Sequence, residues 1–487
     1  MPEQASIASQ KEELNIYAIE SSWSREEFAG IDLGDKRLDK RFLSVSADLA
    51  AQPQAPINQA CEDWAATKAA YRLFDNEKSE PELILCPHQQ QTRERMAAYS
   101  LVLAVQDTVL LNYTQHPVTQ GLGPIGTPEQ ELRGLVMHDT LVCSPQGLPL
   151  GVATQEIWAR DEVEDEEGQP QEQTQKKNKN KKARPIEDKE SFKWITALRG
   201  TVELAPAGVE VVTIADREAD VYEFFQEGEE LGTTLLVRAM HDRLLVGGGK
   251  LRSVVKAEPV AGRITVEVPA QNGQPARKAV CEVRFRSVTL RPPYRPKEFG
   301  VELSPIQVDV VWVHEVHPPV HVKEALDWML LTSAPVKSFE DALERVRWYR
   351  VRWNIEVWHK VLKSGCKVED CRLETGKKLM RYLTLMSVIA WRVFWMVQMN
   401  RQHPEAACTV VLTDPEWKAL YAAIHQTTQL PETLPSVAQV VRWMAQLGGF
   451  LGRKHDGEPG VTVIWRGWQR LHDLVMMWLV VHGAGNS

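Results

Sequence analysis

The sequence predicts an α/β chain, in which a mixed core of strands and helices carries an all-β insertion and is flanked by an α-helical segment at each end. Three observations predict it. Before residue 85 apolar residues recur at helical spacing and no convincing strand is found. From Ser100 to Met240 β-branched runs alternate with helical stretches, and from Arg243 to Val322 short β-branched runs broken by Gly, Pro and Asn turns take over. With 487 residues the chain is long enough for two or three domains. The shifts in pattern divide it into 1–85, 86–400 with the insertion at about 243–322, and 401–487.

In the first segment a basic helix is expected from about Asp35 to Ala50 and another from Trp64 to Phe74. In the second, strands are expected over Leu101 to Leu111, Leu135 to Val142, Gly151 to Ile157, Val209 to Ala215 and Thr233 to Ala239. Helices are expected over Ser191 to Leu198 and Ala219 to Glu227. Within the insertion Ile264 to Val268, Ala279 to Val288 and Val308 to His314 read as strands. A helix lacking Gly and Pro should run from about Phe339 to Leu362, and the chain is helical again after about residue 401. The block 160–186 holds seven acids between Asp161 and Glu172, then Lys176, Lys177, Lys179, Lys181, Lys182 and Arg184. Too polar to bury a core, it reads as a surface loop.

Seven cysteines, an odd number, fit reduced thiols better than a disulfide frame. Cys366 and Cys371 lack partners at zinc-finger spacing and read as structural. No charged, apolar, small-residue leader opens the chain and no apolar run reaches 18 residues, so no membrane partner is expected. Leu474 to Val481 should pack inside a helix pair. The formal net charge of −8 argues weakly against a nucleic-acid binder. It hides a segregation: residues 341–400 hold 12 Lys or Arg against 6 Asp or Glu.

Candidate chemistry centres on three carboxylates. At about 100° per residue, Tyr349, Arg352, Glu356 and Lys363 share one helix face within an arc of roughly 60°. Such a carboxylate among cations is commonly half of a surface ion pair. Asp107 follows the apolar run Leu101 to Gln106, and Asp216 follows Val209 to Ala215, where open α/β sheets place their ligands. Either aspartate alone is equally a helix N-cap. Two strand-end aspartates together with a helical glutamate favour a metal site.

The spacing Tyr349, Arg352, Glu356, Lys363 resembles the Tyr-Arg-Glu-Lys box of the bacterial cut-and-paste DDE transposases of the insertion-sequence-four family, and the chain closely resembles their transposon-five branch. Asp216-Arg217-Glu218-Ala219-Asp220 resembles that family's second-aspartate motif, Asp107-Thr108 its first, and Trp328 to Ser333 the strand before the glutamate helix. Leu33-Gly34-Asp35 with Arg37 and Arg41, then Ala70-Tyr71-Arg72 and Phe74, resemble its DNA-binding domain. Leu447-Gly448-Gly449-Phe450 and Trp465-Arg466-Gly467-Trp468 resemble its dimerisation region.

This resemblance implies a ribonuclease-H-like catalytic core, a helical amino-terminal domain for transposon ends and a helical carboxyl-terminal dimerisation domain. It implies a transposase that binds double-stranded DNA as a homodimer on paired ends, nicks them, passes through a hairpin and joins them to target DNA. A bacterial cytoplasmic setting beside the nucleoid goes with that activity. Asp107, Asp216 and Glu356 would be the catalytic set and would ligate two Mg2+ ions, with Mn2+ as a substitute. In-line displacement at phosphorus calls for such hard cations about 3.5 to 4 Å apart, and hard cations prefer carboxylate oxygen. Arg352, Lys363, Tyr349 and Arg238 would hold DNA phosphates. Trp353, Arg37 and Arg41 would also contact DNA, and Trp328 would stack on a base turned out of the duplex. Two positions depart from the family: Arg238-Ala239-Met240 lacks its lysine, and Leu38 replaces an arginine. A nuclease without strand transfer, or a DNA-binding inhibitor, are the alternative readings.

Overall fold

A computed structural model of the chain describes residues 23–161, 185–268, 276–295, 303–320, 322 and 324–483. The expected loop 160–186 lies almost wholly outside them. Ten strands form one sheet: β1 (Leu101–Asn112), β2 (Gly123–Ile125), β3 (Leu132–Cys143), β4 (Pro149–Trp158), β5 (Glu210–Ala215), β6 (Thr234–Arg238), β7 (Gly262–Val268), β8 (Arg277–Leu290), β9 (Ile306–Glu315) and β10 (Asp327–Thr332). Their order is β2-β3-β1-β5-β6-β10-β9-β8-β7, with β4 also on β3. β1 runs antiparallel to β3 and parallel to β5, and β5 is parallel to β6. The central strands are apolar almost throughout and buried, as strands covered on both faces must be.

Two expectations change here. The insertion is not a separate all-β unit: β9 pairs with β10 and β8 with β9, so it extends the central sheet, and it includes the helix Leu251–Lys256. Asp107 does not end its strand. β1 continues to Asn112, because its antiparallel ladder with β3 outlasts the parallel ladder with β5, which stops at Val105 and Ile214.

At the amino end, Asp35 caps the helix Lys36–Ala51 by accepting from Arg37 N, and Asp63 caps Trp64–Asp75 by accepting from Ala66 N. The helix Pro81–Met96 runs straight across residue 85. The helix expected over Phe339 to Leu362 is present as Phe339–Val351 and Trp353–Lys360, followed by a wide turn at Val361–Gly365. Ser338 and Asp341 start it with a capping box.

Helix Gly376–Gln402 is long and apolar enough to cross a membrane, and 94% of its most apolar window is buried inside the fold, so it is the core helix. Its Arg392 is buried between the rings of Trp23 and Trp468, 4.8 and 4.5 Å from their centroids, and is paired with Glu416 at 2.8 Å. Gly448 and Gly467 allow helices Val437–Leu447 and Val461–Gly483 to cross in backbone contact: a β-carbon would meet Val463 O at 1.8 Å and Met444 O at 2.0 Å, respectively. All seven cysteines are free.

Candidate active site and nucleic-acid interface

The parallel ladder of β1 and β5 ends at Val105 and Ile214; Asp107 and Asp216 each lie two residues further on, within electrostatic reach of each other. Asp216 is the first residue after β5 and caps the turn Arg217–Ala219, accepting from Glu218 N at 2.8 Å. The N-cap role and a place at the strand end are thus both realised. Asp107 accepts from Thr108 N at 2.9 Å. Burial pushes the Asp107 carboxyl up to about 6; His359 and Arg352 oppose the rise and Asp216 adds to it.

Glu356, on its helix, shares a cleft with Asp107, whereas Asp216 does not line it. A cleft of about 470 Å³ is lined by Asp107, Glu356, His359, Lys360 and Lys363. Beside it opens a larger channel of about 1000 Å³, to which Glu356 also contributes, walled by Arg217, Arg238, Trp328, Arg352 and Trp353. Across the channel Arg277 and Lys278 face them from β8, two cations that sequence reasoning missed for want of any periodic signal. Among the described residues no three His, Cys, Asp or Glu side chains are gathered closely enough to hold an ion. Glu356 is instead ion-paired with Arg352, one turn earlier on the same helix.

The other expected contacts are distributed around these cavities. Lys363, on the wide turn, donates to Leu110 O at 2.9 Å and meets Glu369 at 3.1 Å. Tyr349 is buried and holds Arg238 by a side-chain hydrogen bond; burial raises its pKa, against the pull of Arg352 and Arg238. Arg238 also donates to Asp327 O at 2.8 Å, and burial lowers its pKa. Trp328 is half-buried, its ring edge-on to Tyr349 at 5.3 Å, and Trp353 is half-buried too. Trp328 also packs against the edge of the main core. Arg37 and Arg41 line a separate groove of about 290 Å³ with Lys40, Ser44 and Asp48, between the helices Lys36–Ala51 and Trp64–Asp75. Leu38 is buried in the core of that domain, which explains an apolar residue there.

Sequence reasoning also missed Asp139 and His359, both buried beneath the cleft with His359 Nε2 2.9 Å from Asp139 Oδ2. The available signals were the position of His359 one turn after Glu356 and the single acid within the apolar run 135–142.

Comparison with known proteins adds two matches. Residues 20–79 match the family model described as transposase DNA-binding, and residues 388–480 match the transposase Tn5 dimerisation domain. The chain is a Tn5-like transposase. The first match contains the Arg37 and Arg41 groove. The second begins inside the core helix, so the dimerisation domain of the transposase is continuous with the body of the fold.

Trp465 and Trp468, part of the motif that resembles the family's dimerisation region, do not form an open surface. Both are buried, Trp468 donating to Ala50 O at 3.1 Å and Trp465 packing on Gly365, where a β-carbon would meet its ring at 2.9 Å. They fasten the terminal helix to the rest of the same chain. The exposed apolar face lies further on: Met477 and Val481 are 62% and 61% exposed, and share one helix face with half-buried Leu474 and Trp478. The stretch Leu474 to Val481 is therefore not enclosed in a helix pair within one chain.

The Asp48 carboxyl sits among the cations of the DNA-binding groove. Burial pushes it up to about 7, helped by Glu62 and Asp63 and opposed by a hydrogen bond from Cys61. Below pH 7 it is neutral and the groove more positive, so DNA affinity should fall as pH rises from 6 to 8. Asp48→Asn should flatten that slope in a fluorescence-anisotropy titration; an unchanged slope places the titrating group elsewhere.

Proposed function

We propose that the transposase cuts and joins DNA by metal-dependent phosphoryl transfer in a ribonuclease-H-like core. The observation that carries this reading is Asp107 and Glu356 on one cleft beside a cation-walled channel, with Asp216 at the end of the neighbouring strand and within electrostatic reach of Asp107. The sheet order β4-β3-β1-β5-β6, three antiparallel strands followed by two parallel ones, supports the assigned core.

Three carboxylates are the hard oxygen donors that Mg2+ and Mn2+ take, and a half-buried Asp107 with raised proton affinity fits a ligand that shares its charge with a cation. Asp107, Asp216 and Glu356 would hold the ions, which when bound supply charge neutralisation to a phosphoryl centre in displacement. Glu356 serves in this way after exchanging Arg352 as its partner. Arg352 is then free to offer its fork to a backbone phosphate, with Arg238 held ready by Tyr349. Lys363 adds a point charge at the cleft rim. Trp328 and Trp353 line the channel where a displaced base would stack, which supports the hairpin route. The exposed Leu474 to Val481 face supplies the dimer contact, and the reaction takes place on chromosomal DNA in the bacterial cytoplasm.

Incubating the transposase and magnesium with linear DNA carrying the inverted repeats that flank its gene tests this reading. Cleaved ends joined to a second DNA support it; cleavage without joining gives the nuclease, and binding without cleavage the inhibitor. The channel tryptophan gives a finer test. Trp328→Ala should leave the first nick almost unchanged and reduce hairpin yield by about 10-fold, what 1 to 3 kcal/mol of base stacking predicts. A uniform loss at every step with a strongly lowered melting temperature would show that Trp328 only packs.

A further inference from the structure

A second aspartate lies buried beneath the cleft. Asp107 and Asp139 are direct partners across β1 and β3. Residues so placed project to one face with β-carbons about 4.5 to 5.5 Å apart, where like charges repel. Asp139 is fully buried and both its oxygens are engaged: Gln155 Nε2 on β4 donates to Oδ1 at 2.9 Å, and His359 Nε2 lies 2.9 Å from Oδ2. His359 is 5% exposed, lies one turn beyond Glu356 and lines the cleft with Asp107 and Glu356. A contact from β3 thus reaches the glutamate helix at the level of the proposed ligands. Outer contacts of this kind orient metal ligands, and their loss costs about 10- to 100-fold in metal affinity.

We infer that Asp139 and His359 are a positioning pair for the cation cage, an inference that rests on the reading of Asp107, Asp216 and Glu356 as cation ligands. His359 does two things. It keeps the Asp139 carboxylate turned away from the ions, so that the aspartate paired with Asp107 across the ladder does not compete with it. It also pins the glutamate helix to β3, which fixes the separation of Glu356 from Asp107.

Mn2+ binding to the full chain without DNA, followed by calorimetry and electron paramagnetic resonance beside a thermal melt, tests the pair. His359→Ala should weaken Mn2+ binding about 10- to 100-fold and broaden the resonance. His359→Gln, whose amide reaches the same Oδ2, should recover most of the affinity. If His359→Ala does not fold, His359→Met fills the volume without a donor and should show the same loss. Wild-type Mn2+ affinity in the Ala or Met variant, or no recovery with Gln, overturns the pairing and leaves the cage intact. No Mn2+ binding by the wild type overturns the cage and the pair together.

Discussion

Asp107→Asn should lower magnesium-dependent cleavage by at least about 10³-fold, because several kcal/mol of charge stabilisation depends on that carboxylate. Asp216→Ala and Glu356→Ala should do the same, with end binding largely retained in each. The stability of the Asn variant should move the other way. In the folded chain the Asp107 carboxyl is raised from 3.8 to about 6. Below pH 4 it is protonated folded and unfolded alike and costs nothing. As pH rises through 6 the fold must ionise a half-buried, desolvated group, and stability is lost. In EDTA at pH 7.5 the Asn variant should therefore melt about 1 to 2 °C above the wild type. The gap should close towards pH 4. Near wild-type cleavage, or a variant that melts lower at pH 7.5 than at pH 4 relative to wild type, would refute the assignment of Asp107.

The double variant Met477→Glu, Val481→Glu should abolish the paired-end complex. Both side chains are exposed in the single chain, so the fold should melt within a degree or two of wild type. At an interface each buried carboxylate costs at least about 1 to 3 kcal/mol, which together weakens dimerisation more than about 100-fold. A gel shift with two labelled ends of different length separates single-end from paired complexes. Wild-type yield of the paired complex would exclude this face. Point changes suit the question better than truncation near residue 400, because Trp465 and Trp468 hold the chain's own parts together.

The glutamate helix and Asp216 were legible in the sequence because helical period and a strand-ending acid are local signals. Asp107 was found but misplaced as a strand end: where a parallel ladder stops while an antiparallel one continues depends on β3 and β5, more than 25 residues away in sequence. The same holds for the insertion, whose strands carry no mark that β10 will pair on both sides. Asp139 and His359 escaped because a buried polar pair has no period, and only the fold brings residues 220 positions apart together. The boundary near 85 was set by a shift in pattern, yet residue 85 lies inside a helix that continues to Met96. Aromatic motifs such as Trp465 to Trp468 look alike whether their partner is the same chain or another.

Arg392 between Trp23 and Trp468 makes the two ends of the chain answer to one side chain. Each indole shields the guanidinium from water for the other, so removing the terminal helix exposes the amino-terminal domain's anchor as well. The helix Trp23–Glu27 acquires its final packing only when residue 468 has been made. The DNA-binding domain is thus finished only after the dimerisation domain has been made.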